Sequence, residues 1–322
     1  MSRPLALVFG EALWDLLPSG PVLGGAPLNF AYRLGSLGVP TRFVSQVGTD
    51  DLGEQTLARM RSLGMDISLV SRTDALPTAT VIVELDEERN PSYTIVEDVA
   101  YDAVPWTEAL ASAVAESDIL CFGTLAQRGP RSRATLRRLV SAFAGTTVLV
   151  DINLRPRCYT EETVRWSMEH GTVAKLNDEE LGVLADIYSL RGDDLVGLAE
   201  QLRLAVELDT VVVTMGGKGA LAISGPQPGT GGSEPAIVPG FVVEVDDPCG
   251  AGDAFAGAFM ASVIDGLSLE AAITRANALG ALVATQPGAT QTVTQEQMIR
   301  LMADGRRTEL GARELKIDRR DR

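Results

Sequence analysis

The chain has 322 residues, 45% of them hydrophobic and 22% charged, with a formal net charge of −15. That length builds a large core and fits one large α/β domain with a small accessory one, and the acidic surplus excludes a nonspecific nucleic-acid binder, which needs a Lys/Arg surface. The 3 cysteines (Cys121, Cys158, Cys249), odd in number and widely spaced, argue against a disulfide framework or a zinc cluster and suit a reducing cytoplasm, and the single histidine, His170, reads as a helix-surface residue, which makes a Ser-His-Asp triad hard to build.

The N-terminal MSRPLALVFGE is too short in its apolar part for a signal peptide and reads as a first strand over 5–10. No apolar run approaches a membrane span. Further strands are predicted over 41–48, 118–123, 147–153, 172–177 and 210–216. Helical patterns lie between them, over 29–38, 54–64 and 131–143; in the first, Phe30, Leu34 and Leu37 fall on one face. Strand–helix alternation predicts a parallel sheet covered by helices, with ligands beyond the carboxyl ends of the strands.

Two segments break the alternation. ALWDLLPSGPVLGG (12–25) places strand residues around a Pro/Gly turn, and 78–100 reads as strand, acidic turn, strand. Both are expected in a small β-layer. SGPQPGTGGSEP (224–235) reads as a surface loop. The expected division is a core of 1–11, 25–77 and 101–310, a β-lid of 12–24 and 78–100, and a charged tail over 311–322.

DPCGAGDAF (247–255) carries the chemistry. FVVEVD before it reads as a strand and DAFAGAFMASVIDGL after it as a helix. Glycines at a helix N-terminus turn backbone N–H groups onto a ligand, and the helix dipole favours an anion. Gly250, Ala251 and Gly252 are therefore the expected cradle for a phosphate or a developing charge. Neither rival glycine motif fits: the third position of a dinucleotide fingerprint is Phe255, and no P-loop is present. Asp253 is either a favourable first-turn charge or a general base. A carboxylate beside an anion cradle favours the second, as acceptor of a proton from an attacking hydroxyl. Asn177 and Glu180 read equally as a helix cap and as metal ligands. Cys249 is expected to be a small buried residue rather than a reactive thiol.

DPCGAGDAFAGAF resembles the C-terminal signature of the ribokinase-like (PfkB) carbohydrate kinases, and GGAPLNFAYRLGSLG (24–38) resembles their N-terminal one. VTMGGKGAL (213–221), KLNDEE (175–180) and ANALGALVATQPGAT (276–290) are similar to their remaining motifs, in the same order, so the resemblance covers about residues 5 to 292. GEALWD, GGAPLNFAYRLGSLGV and DINLRPRCY are most similar to fructokinases. The resemblance implies a three-layer α/β/α fold with a central, mostly parallel sheet and a β-sheet lid that closes over the sugar. It implies ATP-dependent phosphorylation of a sugar hydroxyl, with fructose first and 2-keto-3-deoxygluconate or another ketose or ribose as alternatives. It also implies the roles. Asp253 would be the base, and Asp15, Gly25, Asn29 and Arg155 would bind sugar. Thr214, Gly216, Gly219 and Asn277 would border the nucleotide. Asn177 and Glu180 would serve Mg²⁺ through water. Asp247 would serve a monovalent cation such as K⁺, although Pro248 and Cys249 depart from the family's usual hydroxyl-bearing pair. A homodimer through the lid is a further expectation. Two other classes are weaker: a non-catalytic nucleotide-binding regulator would lose the base, and a nicotinamide oxidoreductase would need the missing glycine.

Overall fold

The structure, a computed structural model, describes residues 3–18, 20–85, 91–226, 234–311 and 313–317. The acidic turn expected within 78–100, the middle of the 224–235 loop and the end of the tail lie outside the described residues. The chain divides into two compact units, Met1–Thr146 and Thr147–Arg322. No helix among the described residues is long and apolar enough to cross a membrane.

The first unit runs β1 (Ala6–Phe9), β2 (Leu13–Leu17), β3 (Gly20–Gly24), α1 (Ala26–Ser36), β4 (Thr41–Gly48), α2 (Asp51–Ser62), β5 (Val70–Thr73), β6 (Ala79–Leu85), β7 (Pro91–Ile95), α3 (Glu108–Glu116), β8 (Ile119–Phe122) and α4 (Pro130–Ala142). Its parallel strands lie in the order β8-β1-β4-β5. Every residue of β1 is at most 1% exposed, as expected of a parallel strand covered on both faces. The predicted strand 41–48 coincides with β4, while the predicted 5–10 loses a residue at each end.

The two segments that broke the alternation form a separate four-stranded sheet, β3-β2-β6-β7. Polar bonds tie it to the rest of the unit. Trp14 of β2 donates its indole N–H to Thr56 Oγ1 at 2.9 Å. Before β6, Asp50 accepts from Thr78 N (2.7 Å) and Thr78 Oγ1 (2.6 Å) while capping α2 through Gly53 N (2.8 Å). After β7, Arg128 donates to Val96 O (2.6 Å) and holds both oxygens of Asp102 (2.8 and 2.9 Å).

Burial pushes the Asp50 carboxyl up, but its three hydrogen bonds outweigh that and leave it below the ordinary 3.8. A carboxyl depressed in the folded state stabilises above its unfolded pKa, and that contribution is lost as pH falls through the folded value. Asp50→Ala should therefore cost about 1 kcal/mol near neutrality. The Tm gap to the parent should close as the pH is taken below 3.8. A gap that stays constant on acidification would show that the charge contributes nothing.

The second unit runs β9 (Thr147–Asp151), α5 (Glu161–Glu169), β10 (Val173–Asn177), α6 (Asp178–Ile187), α7 (Leu195–Ala205), β11 (Thr210–Thr214), β12 (Gly219–Ser224), β13 (Ala236–Pro239), α8 (Ala251–Ile264), α9 (Leu269–Ala284) and α10 (Gln295–Asp304). β9, β10 and β11 are parallel; β12 and β13 follow antiparallel. α8 is buried from Ala254 through Ser262 and packs along α9, which explains its apolar sequence on all sides.

The strand expected at 241–246 is absent. Phe241 makes one isolated bridge, to Arg307, and Val242 N donates to Arg306 O. Asp246 N and Asp247 N both donate to Ala284 O. These donors go to the last residue of α9 and to the segment after α10 rather than to a ladder.

Candidate active site

In the second unit the site forms at the carboxyl ends of β9 and β10 and the amino end of α8. β10 is VAKLN, and its Lys175 is only 8% exposed. A buried ammonium requires a partner. Nζ donates to both oxygens of Asp151, at 3.0 and 3.2 Å, and Asp151 stands in register with Lys175 on β9. Burial alone would lower the Lys175 pKa; the carboxylates of Asp151, Glu180 and Asp253 outweigh it and raise it.

Asn177 caps α6. Its Oδ1 accepts from Glu180 N at 2.7 Å, and Glu180 Oε2 accepts from Asn177 N at 2.8 Å. The other carboxylate oxygen, Oε1, accepts from Leu154 N at 2.8 Å. Burial pushes the Glu180 carboxyl up, against the pull of Lys175 and the two amides. The capping alternative is thus realised, with one lone pair left on each carboxylate oxygen.

Gly250 caps the amino end of α8 at φ 75, and a Cβ there would stand 2.3 Å from Ala289 Cβ. Only glycine meets both conditions. Asp247 clamps the turn: Oδ1 accepts from Cys249 N and Oδ2 from Gly288 N, each at 2.9 Å. Of the expected cradle, Ala251 N is spent inside the turn, on Pro248 O at 3.2 Å. The amides of Gly250 and Gly252 have no protein acceptor among the described residues. Asp253, half-buried, is the third residue of α8. Cys249 corrects an expectation: it is exposed, because the chain from 244 to 249 runs along the surface.

Thr214 ends β11 in register with Asn177, and its hydroxyl donates to Leu176 O at 3.4 Å. Gly216 sits at φ 55 in open space, whereas a Cβ at Gly219 would meet Val238 O at 2.2 Å. Asn277 is 8% exposed, and its amide N–H₂ donates to Val238 O (3.2 Å) and Pro239 O (3.3 Å), bracing α9 against β13. Any base contact falls to its Oδ1. Arg155 is exposed in the loop after β9, and its guanidinium has no carboxylate partner among the described residues.

The first unit gathers Asp15, Gly25 and Asn29 around the β3–α1 junction. β2 is an inner strand of the small sheet, so Asp15 is no edge charge. A Cβ at Gly24 would lie 3.0 Å from Asp15 Oδ2. Gly25 has φ 114, a Cβ there would meet Glu11 O at 2.5 Å, and its carbonyl accepts from Asn29 N at 2.9 Å. Asn29 is 3% exposed.

Lys175 and Asp151 open the KLNDEE and DINLRPRCY segments, but motif reading gives neither a role. Their signal is a lysine inside an apolar strand and an aspartate closing the neighbouring one.

Residues 21–296 match the model of the pfkB family carbohydrate kinases. The chain belongs to the pfkB family. Among relatives, this pfkB kinase is 28% identical over 314 residues to a fructokinase of Vibrio alginolyticus, covering 92% of this chain and 98% of that one. It is 30% identical over 278 residues to the 2-dehydro-3-deoxygluconokinase of Bacillus subtilis (strain 168), covering 83% and 82%. The crystal structure of fructokinase from Vibrio cholerae O395, in fructose, ADP and calcium ion bound form, superposes with a TM-score of 0.77 at 25% identity, over 94% of this chain and all of that one. The expected ribokinase-like α/β fold, with a large, mostly parallel sheet and a smaller one, is the pfkB fold found here.

Proposed function

We propose that this pfkB kinase transfers the γ-phosphoryl group of ATP to a hydroxyl of fructose, with Asp253 as general base. The observation that carries the reading is the half-buried carboxylate on the first turn of α8, directly behind two backbone amides without protein acceptors. Asp253 takes the hydroxyl proton, the sugar oxygen attacks the γ-phosphorus, and ADP leaves. The amides of Gly250 and Gly252 stabilise charge on the transferring group. The amide of Ala251 is not part of that set.

Asp15 and Asn29 offer acceptors and donors suited to a polyol, and Arg155 has a guanidinium free to meet an anionic or hydroxylated ligand. Thr214, Gly216 and Gly219 shape the nucleotide side. Among the described residues no three acidic, His or Cys side chains converge on a metal position. The lone pairs left on Glu180 and Asn177 instead suit the water shell of Mg²⁺, which gives up its waters reluctantly. When bound, that cation neutralises phosphate oxygens. Asp247 can offer K⁺ only the lone pairs that its two backbone bonds leave.

The fructose preference rests on the fructokinase-like GEALWD and DINLRPRCY segments and on the fructokinase relatives; the 2-dehydro-3-deoxygluconokinase relative supports the second reading. An ADP-release screen over fructose, ribose, tagatose, 2-keto-3-deoxygluconate and nucleosides should give fructose the highest kcat/KM, by at least about 10-fold. A lead for 2-keto-3-deoxygluconate would replace the first reading with the second.

The proposed homodimer has a specific surface. Leu16 and Ile82 stand in register on adjacent strands of the small sheet, 37% and 41% exposed. Leu16→Glu with Ile82→Glu should halve the mass seen by light scattering at micromolar concentration; a parent protein that is already monomeric removes the dimer.

A further inference from the structure

The buried Asp151–Lys175 pair has no place in the roles assigned so far. It is costly where it stands. A valine at the centre of a parallel strand needs no partner, and a buried ion pair contributes little net stability compared with apolar residues of similar size. Its position gives a reason for it. A methyl group added at Gly252 would stand 3.5 Å from Lys175 Nζ, in ordinary contact. The ammonium therefore lies against the first turn of α8, bonded to Asp151 and under the electrostatic influence of Glu180 and Asp253. Besides Asp151, Glu180 and Asp253 act on the ammonium, and those two carboxylates remain beside the turn when the pair is removed.

We propose that the Asp151–Lys175 pair is a positioning element of the phosphoryl-transfer site: Asp151 fixes the ammonium, and the ammonium offsets the surrounding carboxylates so that the first turn of α8 can receive an anionic phosphate with Asp253 beside it. Neither residue exchanges a proton with the substrate in this account. The inference rests on the reading of Asp253 as base.

The test separates a structural brace from a positioning charge. Lys175→Met leaves buried carboxylates uncompensated and should lower both Tm and kcat. Asp151→Leu combined with Lys175→Met removes both charges, so Tm should return towards the parent. In that double variant kcat should stay at least about 10-fold down, with the sugar KM changed less than about threefold. A double variant that recovers kcat along with Tm overturns the proposal. Where the double variant does not regain Tm, Lys175→Arg decides. It keeps the charge and should hold kcat within about 10-fold of the parent, while a loss as deep as in Lys175→Met overturns the proposal. Asp253→Asn, assayed in parallel, tells the two failures apart. If it remains active, the base assignment falls. If it is inactive while the double variant is as fast as the parent, only the role of the pair falls.

Discussion

Asp253→Asn is expected to lower kcat at least about 100-fold, the low end for loss of a general base, while the KM for ATP stays level or falls. The split follows from charge. The carboxylate stands on the first turn of α8, where a phosphate would lie beside the amides of Gly250 and Gly252. A negative group there repels the nucleotide, so its removal cannot weaken ground-state binding through lost attraction. What the amide side chain cannot do is accept the proton of the attacking hydroxyl. If Asp253 were only a first-turn charge, its loss would cost about 0.3–1 kcal/mol of stability and leave turnover intact. A kcat within threefold of the parent, measured at saturating sugar, would remove Asp253 from the mechanism.

Gly250→Ala is the second large effect. The residue sits at φ 75, and the new methyl would lie 2.3 Å from Ala289 Cβ. The left-handed conformation and the overlap together cost at least about 2 kcal/mol. Relief requires the turn to move away from 288–289, where Asp247 clamps it through Gly288 N. A displacement of about 1 Å at a phosphate cradle can cost about 100-fold in rate, so kcat/KM should fall by that order along with Tm. A variant with parental Tm and kcat/KM would show that the turn relaxes without consequence.

Much of this site is legible in the sequence because glycine has few reasons to be where it is. The turn at 250 is a steric demand that the glycine pattern reveals, whereas Gly25 and Gly219 enter through the family resemblance, and close approaches of backbone account for both. Asn177 and Glu180 are less legible: N-x-x-E is the pattern of a reciprocal helix cap and also of a metal-facing pair, and the backbone bonds show that it caps α6 here whatever else it does. The stretch 241–246 misleads for a different reason. Its valines have the propensity of a strand, but propensity does not supply a partner, and the carbonyls that accept from it are those of Ala284 at the end of α9 and Arg306 past the end of α10. Cys249 misleads because free cysteine is among the most often buried residue types, while here it stands on a surface segment. Lys175 is the reverse case. It belongs to no glycine signature, yet one charge in VAKLN already demands a counter-charge, and Asp151 across the ladder answers it.

The bonds at the two roots of the β6–β7 hairpin also bear on its motion. Asp50 grips Thr78 where the chain enters, and Arg128 grips Val96 where it leaves. Flexing of the hairpin must therefore be taken up along the strands, outboard of these stitches. Amide hydrogen exchange should record this as slow exchange at Thr78, whose N–H is the one gripped, with faster exchange toward the far ends of both strands.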